Sequence, residues 1–93
     1  HRELRALLWE DMLGRLGKGL KVRLDQLPAK KSAEAKVRLA AAMKATTSVS
    51  NGWLAERLKM GPPASVSQYV RRFRLRGGAD ERGFKEVLSI VNT

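Results

Sequence analysis

The stretch "WLAERLKMGPPASVSQYVRRFRLR" (residues 53–76) decides how this chain is read. It opens as a helix, with Trp53, Leu54, Leu58 and Met60 at near-helical spacing. Gly61-Pro62-Pro63 then breaks it, because proline has no amide donor and its ring clashes with the preceding turn. A second helix is predicted to restart at Ser65, which stands three residues before Gln68 in the S-x-x-Q spacing of a capping box. Val66, Val70 and Phe73 recur at i, i+4 and i+7 as one apolar stripe, leaving Ser67, Gln68, Arg71, Arg72 and Arg74 on the other faces. Gly77-Gly78 ends the helix.

Two short helices joined by a tight turn, the second one cationic, describe a helix-turn-helix over about residues 50–76. The first helix is expected to cross the second through Leu54, Ala55 and Leu58, with the small Ala55 at the closest approach. Ser67, Gln68, Arg71 and Arg72 are then free to enter a major groove, where Gln pairs with adenine and Arg with guanine. Lys59, Ser65, Arg74 and Arg76 suit phosphate oxygens. The free amides at the start of the second helix would also attract phosphate. The turn is predicted to be longer than the shortest of its kind, because residues 61–64 insert a small loop.

Working outward, residues 2–17 carry a stripe of Leu4, Leu7, Leu8, Met12 and Leu16, widened by Trp9 and Leu13. Gly14, Gly17 and Gly19 place the end of that helix in their neighbourhood, since each costs about 1 kcal/mol against alanine in a helix interior. Residues 20–27 read as a helical turn or two, closed by Pro28; their alternation also permits a strand, but nothing nearby would pair with it. The clearest helix lies within residues 30–47, capped by Ser32 and rich in alanine. Val37, Ala40, Ala41 and Lys44 line one side of it, with Ala33 and Leu39 flanking. Thr46-Thr47 with Ser48 or Ser50 supply turn and N-cap chemistry. A last helix is predicted over about residues 80–91, capped by Asp80 and apolar at Phe84, Val87, Leu88 and Val91. The expected fold is all-α: one small domain of about four to six helices spanning residues 1–93, with modest room for a core.

Composition narrows the partners. The formal net charge is +10 over 93 residues, the signature of a polyanion binder. The charge is uneven: residues 18–38 hold seven basic and two acidic side chains, and residues 57–76 hold six basic and no acidic ones. There is no cysteine, which excludes disulfides and thiolate metal sites and fits a reducing cytoplasm. No apolar run approaches the roughly 20 residues of a membrane span, and Glu3, Glu10 and Asp11 interrupt the N-terminus in a way no secretory signal tolerates. Neither a paired-carboxylate site nor a nucleophile–base pair is legible, and His1 alone supports no metal.

The segments "KVRLAAAMKATT" and "WLAERLKMGPPASVSQYVRRF" together resemble the C-terminal part of REP-associated tyrosine transposases, bacterial proteins of the single-strand-transposase class. The matching features are Thr46-Thr47, Trp53-Leu54-Ala55, Leu58, Met60-Gly61 and Val66-Ser67, and the resemblance covers roughly residues 4–76. The segment is also similar to the helix-turn-helix of replication-initiator DNA-binding domains, whose turn is likewise lengthened. The resemblance implies bacterial origin, a role in transposition and a place at the nucleoid. Residues 49–52 depart from the family pattern, Gly52 being a poor helix former. Such transposases cut DNA with a His-hydrophobe-His metal pair and a tyrosine. This chain has a single His, His1, and a single Tyr, Tyr69, which stands in the DNA-facing helix, so the catalytic domain is not in these residues.

The expectation is therefore a non-catalytic, sequence-specific binder of double-stranded DNA, a transposase-related tail or a transcription regulator, without cofactor, metal, membrane or small-molecule substrate. A catalytic transposase domain or a second copy of the chain would be its protein partner. An RNA-binding module and a basic protein-interaction domain are the alternatives. RNA recognition lacks a visible pair of stacking aromatics, and protein docking would need an exposed apolar stripe on the first or last helix.

Overall fold

In the computed structural model, which describes residues 2–91, the chain is all-α. Its helices are α1 (Arg2–Leu20), α2 (Glu34–Thr46), α3 (Asn51–Arg57), α4 (Pro63–Leu75) and α5 (Arg82–Val91), with single 3-10 turns at Leu24–Gln26 and Gly78–Asp80. Among the described residues there is no strand, so residues 20–27 take the helical alternative. None of the described helices is long and apolar enough to cross a membrane.

α2 occupies the centre. Leu39, Ala40, Ala41, Ala42 and Met43 are consecutive and all buried, which is the pattern of a helix packed on every side. α1, α4 and α5 each lie against it, and its run of alanines lets them come close. Ser32 does not cap it. The N-cap is Ala33, with no side-chain bond, so the first turn gains only from Glu34 set against the positive end of the helix dipole. The Thr-Thr pair acts at the other end: Thr46 Oγ1 donates to Ala42 O at 2.8 Å and Thr47 Oγ1 to Met43 O at 2.7 Å. Ser50 then caps α3, its Oγ accepting from Trp53 N at 3.1 Å, and this cap carries Gly52 inside the helix.

α1 differs from expectation in two respects. It runs through Gly14, Gly17 and Gly19 to Leu20, because burial of Leu13, Leu16 and Leu20 outweighs the glycine cost. The buried stripe is those three leucines, flanked by Trp9 and Met12, whereas Leu4, Leu7 and Leu8 are exposed at 56–68%. The physical reason is reach: α1 packs against α2 and α5 from its C-terminal half, and its first two turns extend beyond them.

The turn between α3 and α4 sets the geometry of the site. Residues 58–62 form it: Leu58 N donates to Leu54 O and Met60 N to Ala55 O, both at 2.9 Å, with Lys59 in the left-handed region at φ 54°. This is a Schellman-type stop, in which a non-glycine residue takes the position glycine usually holds. Gly61 follows at φ 88°, and α4 starts at Pro63 with Pro62 as N-cap. The predicted capping box is thus absent. Proline at the first helical position is pre-organised for the helix, so α4 begins two residues before Ser65 and the inserted loop shrinks. Gly61→Ala would force a methyl group into the left-handed region and to 3.3 Å from Lys31 Cδ. The expected loss is about 1–2 kcal/mol, read as a fall in the melting midpoint of roughly 4–16 °C.

α4 ends where Gly77 turns left-handed at φ 83°. Asp80 sits in the following 3-10 turn rather than at a cap, and α5 starts at Arg82. Phe84 is buried, while Val87, Leu88 and Val91 are half-buried against the core.

Candidate nucleic-acid interface

α4 divides cleanly between inside and outside. Val66, Val70 and Phe73 are buried at 0%, 4% and 2%, the first a full turn from the second. Leu54, Ala55 and Leu58 meet them from α3 and its turn, as their spacing predicts, and all three are buried. The remaining faces of α4 carry Ser67, Gln68, Arg71, Arg72 and Arg74, all exposed. Tyr69 is half-buried and packs against the core.

Two exposed rows result. Ser67, Arg71 and Arg74 follow i, i+4, i+7 and border an open groove of about 440 Å³, completed by Lys44 from α2, Asn51 from α3 and Leu75. Gln68 and Arg72 form the next row round the helix. Lys44 and Asn51 were not legible as site residues. Lys44 is expected from its spacing to line the buried side of α2, but it is half-buried and its Nζ donates to Val49 O at 3.1 Å, beside the groove. Asn51 borders the groove, and its Oδ1 is buried beneath the surface with no hydrogen-bond partner among the described residues.

The other residues expected to touch phosphate are placed differently. Lys59 is exposed in the turn at the opposite end of α4 from the arginines. Ser65 is half-buried in the first turn, its amide already given to Pro62 O at 3.0 Å. Pro62 and Pro63 carry no amide hydrogen, so the start of α4 is a poorer anion site than a helix opening on ordinary residues. Arg76 is paired with Glu34 from α2, and its guanidinium lies 5.4 Å from the Phe73 ring centroid. It bridges the end of α4 to α2 at the surface rather than standing unpaired.

Arg57, part of the basic block in sequence, is likewise taken up. Its Nε and a terminal nitrogen donate to the two Glu10 carboxylate oxygens at 2.7 and 2.8 Å, a forked pair joining α3 to α1. The Arg57 hydrogen bonds hold the Glu10 carboxyl below its usual range, against a smaller opposing effect of burial. Above this pair Trp53 meets Trp9 edge-on, centroids 5.7 Å apart. Arg71, Arg72, Arg74 and Lys59 have no ion-pair partner among the described residues, so the acids sort the basic block into structural and uncommitted cations.

Beneath the turn lies a lysine that nothing local in the sequence marks. Lys36 of α2 is 2% exposed, and its Nζ donates to Lys59 O at 3.1 Å and to Ala29 O at 3.5 Å. Burial, and then the neighbouring Lys59 charge, hold its ammonium below the ordinary lysine value. No family model, curated protein or solved structure matches this chain.

Proposed function

We propose that this chain is a non-catalytic domain that binds double-stranded DNA, with α3, the turn and α4 acting as a helix-turn-helix. The observation that carries the reading is the sorting of charge on α4. Its apolar stripe is buried, and the three arginines left outside have no acidic partner among the described residues, whereas Arg57 and Arg76 do. At 13 residues α4 is about 20 Å long, and a helix of this kind fits a major groove roughly 12 Å wide. Gln68, Arg71 and Arg72 would meet base edges; Lys59 and Arg74 would meet phosphates, with Lys44, Ser67 and Asn51 bordering the helix. Ser65 and Arg76, half-buried and ion-paired, would support α4 more than touch DNA.

The aromatic residues favour duplex over single-stranded RNA. Trp9 and Trp53 pack on each other, Phe73 and Phe84 are buried together, and Tyr69 is half-buried, so no ring is free as a stacking platform. In the setting that the transposase resemblance implies, the domain would hold a catalytic partner at its DNA site.

Titration of labelled duplex at several salt concentrations tests this. Neutralising about five phosphates gives a log–log salt slope of about −4 to −5. Arg71→Ala is expected to weaken the preferred duplex by about 1–3 kcal/mol and to relax preference at one base position. Equal losses on all sequences would leave Arg71 as a phosphate contact only. No duplex binding at low salt, or stronger binding to an RNA hairpin, would overturn the reading.

A further inference from the structure

Lys30 and Lys31 belong to the connection between α1 and α2, far from α4 in sequence, yet the fold carries them to its turn. Two separate contacts do this. Lys36 ties Ala29 O, in that connection, to Lys59 O, in the turn. The stem of Lys31 lies across Gly61, whose bare Cα leaves room for it: a methyl there would sit 3.3 Å from Lys31 Cδ and 3.9 Å from Cε. Lys30, Lys31 and Lys59 are all exposed, with no ion-pair partner among the described residues. Of the carboxylates in the surrounding elements, Asp25 is engaged by Arg23 and Glu34 by Arg76, whereas Glu56, three residues before Lys59, is exposed and has no ion pair among the described residues. Lys59 also holds a left-handed backbone position where glycine would be unstrained.

We propose that Lys30, Lys31 and Lys59 form a second phosphate-binding cluster, which grips the nucleic-acid backbone at the turn end of α4 while the arginines act at the other end. The proposal rests on the duplex-binding reading above and adds to it a segment outside the two-helix unit. The spacing is suitable. From Pro63 to Arg74, the arginine assigned to phosphate, α4 runs about 16 Å, comparable to the roughly 12 Å that separates the walls of a major groove. One cluster at each end can therefore meet phosphates on opposite walls, fixing the helix between them. The lysines would set affinity and salt dependence without reading sequence, since backbone contacts position a protein and base contacts specify.

The test compares the wild type with a K30Q/K31Q/K59Q variant on a preferred and a scrambled duplex across a salt series. The salt slope should become shallower by about two to three, and low-salt affinity should fall by about tenfold or more. The ratio between the two duplexes should stay unchanged. An unaltered slope would overturn the proposal while leaving wild-type binding, and hence the duplex reading, in place. Absence of binding by the wild type would overturn both. A second measurement needs no variant: lysine acylation of the wild-type protein, read by mass spectrometry with and without saturating duplex. Lys30, Lys31 and Lys59 should be protected, and Lys18 and Lys85, exposed on α1 and α5, should not. Equal acylation of the three lysines in both conditions would overturn the proposal even if the variant were unstable.

Discussion

Phe73→Ala is expected to destabilise the domain by about 3–5 kcal/mol, the lost transfer energy of the ring plus the cavity it leaves. The ring has little freedom to be replaced by collapse of its surroundings. It is 2% exposed and lies tilted against Phe84 of α5, centroids 5.2 Å apart. The Arg76 guanidinium covers it from one side, and Gly78 backs so closely on it that a methyl there would come within 2.5 Å of Cε1. A chain of this length has about 5–14 kcal/mol of stability in total, so the substitution removes a large share. The melting midpoint should drop by about 12 °C or more. Phe73→Leu, which keeps much of the volume, should recover over half of the loss. Urea unfolding of the three proteins checks the order. A cost for alanine below about 1.5 kcal/mol would mean that the underside of α4 is loosely held, and that its outward face is not fixed for recognition either. That face depends on this packing, because Phe73 and Arg74 are neighbours and rotation of α4 by one residue would exchange an arginine for the ring.

What could be read ahead of the structure followed from short-range rules. The stripe Val66, Val70, Phe73 and the buried set Leu54, Ala55, Leu58 needed only helical periodicity, and both pairs of faces meet as expected. The turn chemistry of Thr46-Thr47 was equally local, and of Ser48 and Ser50, left as alternatives for the cap, the structure uses Ser50. The start of α4 was missed because two competing signals, a capping box at Ser65 and proline at a first helical turn, sit within three residues, and the proline rule won. Leu4, Leu7 and Leu8 show the limit of periodicity: spacing says which residues share a face, not whether a neighbour reaches it. The site was divided by long-range pairings. Arg57 finds Glu10 across 47 positions and Arg76 finds Glu34 across 42, and no local pattern distinguishes them from Arg71 or Arg74. Lys36 was the least legible, since no local rule separates it from the other cations of the basic block over residues 18–38.

Lys36→Ala should therefore have an effect out of proportion to its place in a basic run, a loss of about 2–4 kcal/mol. Part is packing, since a stem that is almost fully covered would be replaced by a void. Part is the loss of a charged donor to Ala29 O and Lys59 O, a class of bond whose net contribution is about 1.5–3 kcal/mol. Lys36→Met separates the two. It keeps the stem, removes the donors and relieves the buried ammonium, so its expected cost is smaller, about 1 kcal/mol. The pH dependence gives an independent check of sign. Burial and Lys59 lower the folded-state value below the 10.5 of a free lysine. As pH rises toward 10.5 the unfolded chain then holds more protons at this position than the folded one, so this residue makes the wild type more stable, not less. Lys36→Met lacks that gain. The stability gap between wild type and Met should accordingly widen as pH rises through the lowered value toward 10.5. A flat gap over that window would show that the ammonium is well solvated, and a narrowing one that its carbonyl partners outweigh the cost of burial. An alanine cost under about 1 kcal/mol would show that Ala29 O and Lys59 O are satisfied by water. So small an alanine cost would remove one of the two contacts that bring Lys30 and Lys31 beside Lys59, leaving only that of Lys31 on Gly61.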